Sequence, residues 1–355
     1  MRLTFGVPLM VAVAAATAAI VGCGSDASRS SGVDGAADAR EAGAAVSRGA
    51  GCGKALPTNQ PMTVPGRPTG YLQYTVMGTG ATLAGAQPQK AGPRTFWVRV
   101  PADYDPNRAY RVVYLGTGCG STDASKDTYQ LYREDEGGAE EAIYVAIDLP
   151  TDMVNMDCYD NETGTASQEW EAFDLFHGVV DANYCVDNDH VFVAGYSTGG
   201  WLANMWGCYF AGDGQRPWNG VAAGVADAGS DPRRFAPKYH IRGQGAVSGG
   251  EPPNNPPCNG PVAAIWIHDL NDISNLIAGD QAALARVLRM NGCTGSATAP
   301  WGTDLVNGAT GACVQYTACP ADYPVVFCTT NDVARYSAPQ IAIPALTRLF
   351  EQVTP

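Results

Sequence analysis

His190-Val191-Phe192-Val193-Ala194-Gly195-Tyr196-Ser197-Thr198-Gly199-Gly200-Trp201 runs from a strand-like apolar segment into a glycine-flanked serine and on into an amphipathic stretch. Strand, tight turn and helix around G-x-S-x-G are the context of a nucleophile elbow. Small residues beside Ser197 let the chain turn sharply enough to lift Oγ above the strand ends. There the N-terminus of the helix and backbone N–H groups can hold a developing oxyanion. Three fixed residues alone match by chance. Here the buried strand before them and the double glycine after them argue against coincidence.

Outward from the elbow, further strand-like runs lie at 71–77, 95–101, 111–116, 142–148, 241–248 and 261–268. The later ones are short and apolar throughout, the pattern of parallel strands buried on both faces. Helix-like periodicity lies at 169–183, 201–210, 279–291 and 341–353, and Trp170, Phe173, Phe176 and Val180 line one stripe of the first. Alternation of this kind predicts an α/β fold with a mostly parallel central sheet flanked by helices. The first two strands, joined by a Gly/Pro-rich loop, are expected to form an antiparallel edge. No internal repeat is present.

Composition divides the 355 residues. Met1-Arg2 and the apolar run to Val21 read as a signal segment over residues 1–22. Gly22-Cys23 at its end fits a lipoprotein cleavage site, with Cys23 as the lipid acceptor; a simple signal peptide or a membrane anchor is the alternative. Residues 23–51 are rich in Ser, Ala, Gly and Asp without an aromatic residue, so they read as a flexible tether. All 7 Trp and all 16 Tyr lie in residues 52–355, the globular domain. Of 11 cysteines, Cys23 set aside, ten remain to form disulfides of an exported, disulfide-rich domain, their pairing open. No C-x-x-C pair occurs, which argues against zinc. A net charge of -13 argues against a nucleic-acid partner.

Two more pieces of a site follow from position. After the strand at 111–115 comes Gly116-Thr117-Gly118-Cys119-Gly120, whose N–H near Cys119 would join that of Thr198 on an oxyanion. After the strand at 262–267 comes His268-Asp269-Leu270-Asn271-Asp272. A carboxylate there follows the nucleophile in the order Ser…Asp…His; Asp272 is preferred and Asp269 is the alternative.

Together these pieces resemble a family. Arg99-Val-Pro-Ala-Asp-Tyr-Asp-Pro106, Gly118-Cys-Gly120, Tyr184-Cys-Val-Asp187, Gly195-Tyr-Ser-Thr-Gly-Gly-Trp201, Gly260-Pro-Val-Ala-Ala264, His268…Asp272 and Tyr323-Pro-Val-Val-Phe-Cys328 cover most of the domain. The chain resembles exported polyhydroxybutyrate depolymerase-like and feruloyl esterase-like enzymes of the α/β-hydrolase fold, of the carbohydrate esterase family 1 type. The resemblance implies cleavage of carboxylic esters, polymeric or small, by a Ser–Asp–His triad without metal or cofactor.

One part departs from the pattern. In the family the catalytic His follows the strand ending at Cys328 and precedes the last helix; Arg335 stands there. Arginine stays protonated and cannot take a proton from Ser197. His190 and His240 begin their strands, which puts His190 roughly 16 Å from the catalytic edge. His177 lies within a helix. His268 alone ends a strand on the correct side, as a substitute base or as a residue that orders its loop. The expectation is therefore an exported serine esterase using Ser197, Asp272, Thr198 and Cys119. The alternative is a catalytically impaired, lipid-anchored relative that binds a ligand or partner.

Overall fold

The computed structural model describes residues 47–64, 67, 69–78, 92–121, 123–127, 142–149, 158–159, 170–212, 238–251, 258–305, 311–331 and 338–354. Cys23, the loop at 252–257, Arg335 and Tyr336 lie outside the described residues.

Among the described residues, ten strands form one mixed sheet in the order β1-β2-β4-β3-β5-β6-β7-β10-β9-β8. They are β1 (Tyr71–Gly78), β2 (Gly92–Arg99), β3 (Tyr110–Gly116), β4 (Ala142–Ile147), β5 (Val186–Tyr196), β6 (Gly243–Val247), β7 (Ala263–Asp269), β8 (Thr298–Pro300), β9 (Gly311–Tyr316) and β10 (Val325–Thr330). The helices are α1 (Ala124–Asp127), α2 (Trp170–Asn183), α3 (Thr198–Tyr209), α4 (Ile277–Met290) and α5 (Ala338–Gln352). The central six strands are mutually parallel. Two antiparallel strands close each edge, β1 and β2 on one side and β8 and β9 on the other. This is the expected α/β-hydrolase architecture.

Strand alternation decides what each face covers. Val112, Tyr114, Val191 and Val193 point to one face, against Phe173 and Phe176 of α2 and Leu202 and Trp206 of α3. Farther along that face, Ala264 and Trp266 meet Ala283 and Val287 of α4. Their neighbours Val113, Leu115, Phe192, Ala194 and Ile265 point the other way, against Ile341, Leu346 and Leu349 of α5. Both faces are thus covered, and β3, β4, β6 and β7 are buried along their whole length. That explains why they read as unbroken apolar runs.

The differences from the sequence reading have local causes. Strand β5 begins at Val186, earlier than expected, because polar Asp187, Asn188 and Asp189 interrupt its apolar run. Strand β9 carries half-exposed Gln315 and Tyr316 and β8 has three residues, so neither shows a buried run. Residues 47–51, placed in the tether by composition, bond to the domain. Gly49 N–H donates to Val186 O (2.8 Å) and Gly51 N–H to Asp181 O (2.7 Å).

All ten remaining cysteines pair: Cys52–Cys185, Cys119–Cys158, Cys208–Cys258, Cys293–Cys319 and Cys313–Cys328. Such a set belongs to an oxidising compartment. No helix among the described residues is long and apolar enough to cross a membrane.

Candidate active site

Ser197 stands between β5 and α3 with φ 55° and ψ -121°. A side-chain-bearing residue rarely adopts this conformation, and the surroundings must hold it there. Ser197 N–H donates to Val247 O (2.9 Å), and Ser197 O accepts from the N–H groups of Gly200 (2.8 Å) and Trp201 (3.1 Å). Gly199 N–H reaches across to Thr117 O at 2.9 Å. The turn closes only because its flanks lack side chains. A Cβ on Gly195 would lie 2.0 Å from Gly199 O, and one on Gly199 would lie 2.3 Å from Gly116 C.

The loop after β3 is held against this turn. A Cβ on Gly118 would lie 3.6 Å from Ser197 Cβ, so this backbone passes directly beside the nucleophile position. Thr117 N–H donates to Tyr159 OH (3.1 Å), which itself donates to Ile147 O (2.6 Å). The Cys119–Cys158 disulfide ties the next part of the loop to the same place. Cys119 and Thr198, the two expected oxyanion donors, thus belong to segments fastened together by the Gly199–Thr117 bond.

The loop after β7, which carries Asp269 and Asp272, starts in the same row of the sheet. Tyr196 pairs with Val247 and Val247 with Ile267, so Ser197, Ser248 and His268 follow at one level. Two strand spacings separate β5 from β7, about 10 Å. Asp269 is buried with both oxygens engaged: Oδ1 accepts from Asn271 N–H (2.7 Å) and Oδ2 from the Thr330 hydroxyl (2.9 Å). Asp272 differs. Its hydrogen bonds among the described residues fall on Oδ1, from the N–H groups of Ser274 (2.8 Å) and Asn275 (3.0 Å). Asn271 Nδ2–H donates to Asn331 Oδ1 (3.2 Å), the residue after β10.

Each of the four histidines has its own surroundings. His177 is fully buried; its Nε2–H donates to Asn188 Oδ1 and its Nδ1 accepts from Tyr114 OH, both at 2.8 Å. Burial pushes its pKa down to about 4. His190 meets Asp187 at 2.7 Å, low on β5. His240 precedes β6, at the end of that strand opposite the elbow. His268 follows Trp266 in alternation and therefore turns under the sheet toward α4 rather than into the site. Its Nε2–H donates to Asn275 O (2.9 Å), and its Nδ1 meets Asp280 Oδ2 (2.7 Å) with neither side chain exposed. Burial opposes the imidazolium, yet the Asp280 carboxylate outweighs it and holds His268 above the usual histidine range. Burial also raises the Asp280 carboxyl. Ser197 Oγ has no histidine partner among the described residues; His268, expected as a substitute base or as a residue that orders its loop, bonds to Asn275 and Asp280.

The structure also shows residues that sequence reasoning missed. Asn275, Asp280 and Asn204 support the acid loop from three elements, and no local motif marks them. Trp201 donates its Nε1–H to Asn275 Oδ1 at 3.2 Å.

No family model and no curated protein matches the chain. Several solved structures are similar to it. An acetyl xylan esterase from Aspergillus awamori aligns at 11% identity and TM-score 0.49, over 79% of this chain and 99% of its own. A CE1 ferulic acid esterase from Anaeromyces mucronatus, in complex with ferulic acid, aligns at 17% identity and TM-score 0.42, over 61% and 79%. A thermostable esterase aligns at 12% identity and TM-score 0.37, over 61% of this chain and 51% of its own, about half its length. Likeness of this degree does not carry a function from one chain to another.

Proposed function

We propose that this chain is a carboxylic ester hydrolase with Ser197 as its nucleophile. The observation that carries the reading is the strained backbone at Ser197, closed by Gly195 and Gly199 against the loop of Cys119. Strain of about 1–3 kcal/mol at a single residue persists where the surroundings enforce it, and such residues cluster at functional sites. Ser197 Oγ bonds to the acyl carbon, and the carbonyl oxygen becomes an oxyanion facing the N–H groups of Thr198 and Cys119. Collapse breaks the bond to the alcohol oxygen, which leaves with the proton taken from Oγ. Water then cleaves the acyl-serine and restores the hydroxyl.

Asp272 is the acid of this reading, supported by the contrast with Asp269, whose two oxygens are both engaged. In this reading no histidine serves as the base, in keeping with the bonds of His177, His190 and His268 to Asn188, Asp187 and Asp280. The oxyanion hole and binding alone leave roughly 10³–10⁴ over water in a well-studied protease, so slow turnover is expected. Apolar acyl groups suit the rim, because Leu270, Ile273 and Leu276 stand 55%, 68% and 67% exposed around Asp272. The ten paired cysteines support export, and Cys23 is the proposed lipid acceptor.

A second reading draws on the same histidines: a hydrolase fold that binds an ester or partner without turning it over. One set of measurements separates the two. Purified protein and Ser197→Ala are compared for p-nitrophenyl acetate hydrolysis and for labelling by a fluorophosphonate. Serine-dependent hydrolysis supports the enzyme. Equal hydrolysis with no label on Ser197 supports the binding protein, and a gain of activity in Arg335→His identifies the lost base.

A further inference from the structure

Asn275 joins three parts of the molecule. Its N–H donates to Asp272 Oδ1 (3.0 Å), its carbonyl accepts His268 Nε2–H (2.9 Å), and its Oδ1 accepts Trp201 Nε1–H (3.2 Å). From His268 the path continues to Asp280 Oδ2 (2.7 Å), and Asp280 Oδ1 accepts from Asn204 Nδ2–H (3.2 Å). Trp201 and Asn204 lie one turn apart on α3, the helix that Ser197 begins. The hydrogen bonds therefore leave the nucleophile helix, cross the acid loop, the end of β7 and α4, and return to the same helix.

We propose that this closed circuit positions the Asp272 loop against the nucleophile helix, with His268 as its positioning residue. The proposal rests on the ester-hydrolase reading for its purpose, though not for its geometry. His268, Asp280 and Asn204 are fully buried. Buried polar groups of this kind are costly unless every member is satisfied, and an apolar core often serves stability equally well. Here Asn204 is satisfied completely. Its Nδ2 also donates to Gly250 O (3.0 Å), and its Oδ1 accepts from Trp266 Nε1–H (2.8 Å) and Gln244 Nε2–H (3.3 Å). Asn204 is thus fixed in one orientation, and a fixed donor toward Asp280 orients the His268 ring. The ring then presents Nε2–H to a single carbonyl. What the circuit adds beyond burial is a set distance between Asp272 and α3.

Two substitutions divide the histidine's two contacts. Glutamine reaches as far as Nε2 and keeps a donor for Asn275 O; asparagine reaches only as far as Nδ1 and keeps the Asp280 contact. Amide hydrogen exchange of residues 270–276 in the full chain, beside the rate of fluorophosphonate labelling, is the measurement. His268→Asn is expected to speed loop exchange about tenfold, the size of one lost buried hydrogen bond. His268→Gln should keep loop exchange within about threefold of wild type, at a comparable loss of melting temperature. Equal behaviour of the two variants, or unchanged exchange in His268→Asn, overturns the proposal. If neither variant folds, Trp201→Phe removes only the half-buried donor to Asn275, and unchanged exchange there overturns it too. The exchange pattern does not require Ser197 to react. Absent labelling in wild type with the expected exchange sinks the nucleophile reading alone; normal labelling with indifferent exchange sinks the circuit alone.

Discussion

On the β3–β5 side of the site the backbone sets the geometry, whereas on the β7–β10 side side chains do. Ser197 and the Cys119 loop are held by main-chain hydrogen bonds, close glycine contacts and a disulfide. Asp272 is held by Ser274 and Asn275, and behind them by the buried polar groups of β7, α3 and α4. The difference bears on what each side tolerates. Backbone turns of this tightness fail when a single methyl is added, while a side chain in a loop can change with no consequence for the sheet. A chain can therefore keep one half of a hydrolytic site intact and change the other.

The largest expected effect tests the backbone half. Gly195→Ala brings a methyl to 2.0 Å from Gly199 O and must displace the elbow and the Thr198 N–H together. Labelling of Ser197 should fall roughly 10³-fold or more, since a displacement near 1 Å costs about 10² and a lost oxyanion donor about 10²–10³. Circular dichroism and the melting temperature separate this from global unfolding. A folded variant that labels at the wild-type rate breaks the comparison.

The same contrast explains what was legible in the sequence. The elbow, β3, β6 and β7 are local events: apolar runs, glycines at fixed offsets, and a serine between them. Chain order points only to a carboxylate after β7, Asp272 or Asp269; the bond that engages Asp269 comes from Thr330, 61 residues away. The partners of His268 could not be read, because Asn275, Asp280 and Asn204 meet only when three elements pack. Strand alternation was the available signal. His268 stands two residues after Trp266 on a buried strand, which already turns it toward α4.

Titration gives the next effect, of about 3 kcal/mol. Burial lowers the pKa of His177, under β3; His268 is raised, because the Asp280 carboxylate beside it outweighs the burial that opposes its imidazolium. Their signs are opposite. With His177 lowered from 6.5 to about 4, the unfolded chain binds the extra proton in that window, so stability falls as pH drops from 6.5 toward 4. At about 1.4 kcal/mol per pH unit this amounts to about 3 kcal/mol. His268 is raised, so its contribution is present below 6.5 and is lost as pH rises above that value through its folded pKa. Urea unfolding from pH 4 to pH 8 should show a shallower acid limb in His177→Gln and a shallower alkaline limb in His268→Gln. Parallel curves for wild type and both variants contradict the assignment.

Smaller still is the strain at Ser197. Glycine adopts φ 55°, ψ -121° without a Cβ conflict, so Ser197→Gly removes the nucleophile and relieves the backbone at once. Relative to Ser197→Ala, which keeps the conflict, it should be more stable by about 1–2 kcal/mol, seen as a melting temperature several degrees higher. Equal melting temperatures mean that the turn is unstrained, and the backbone half loses its special standing.

The smallest expected change is the most informative about the other half. In a complete triad, replacing the aspartate by asparagine lowers turnover by about 10⁴, because the imidazole then takes the wrong tautomer. Here no histidine stands between Asp272 and Ser197 among the described residues. Asp272→Asn keeps an oxygen for the N–H groups of Ser274 and Asn275, so the loop retains its shape. Labelling and hydrolysis should therefore change by no more than about threefold, since the carboxylate has no imidazole to orient. A fall of several orders of magnitude would mean that Asp272 acts on a base after all, and the acid half would then be as complete as the elbow beside it.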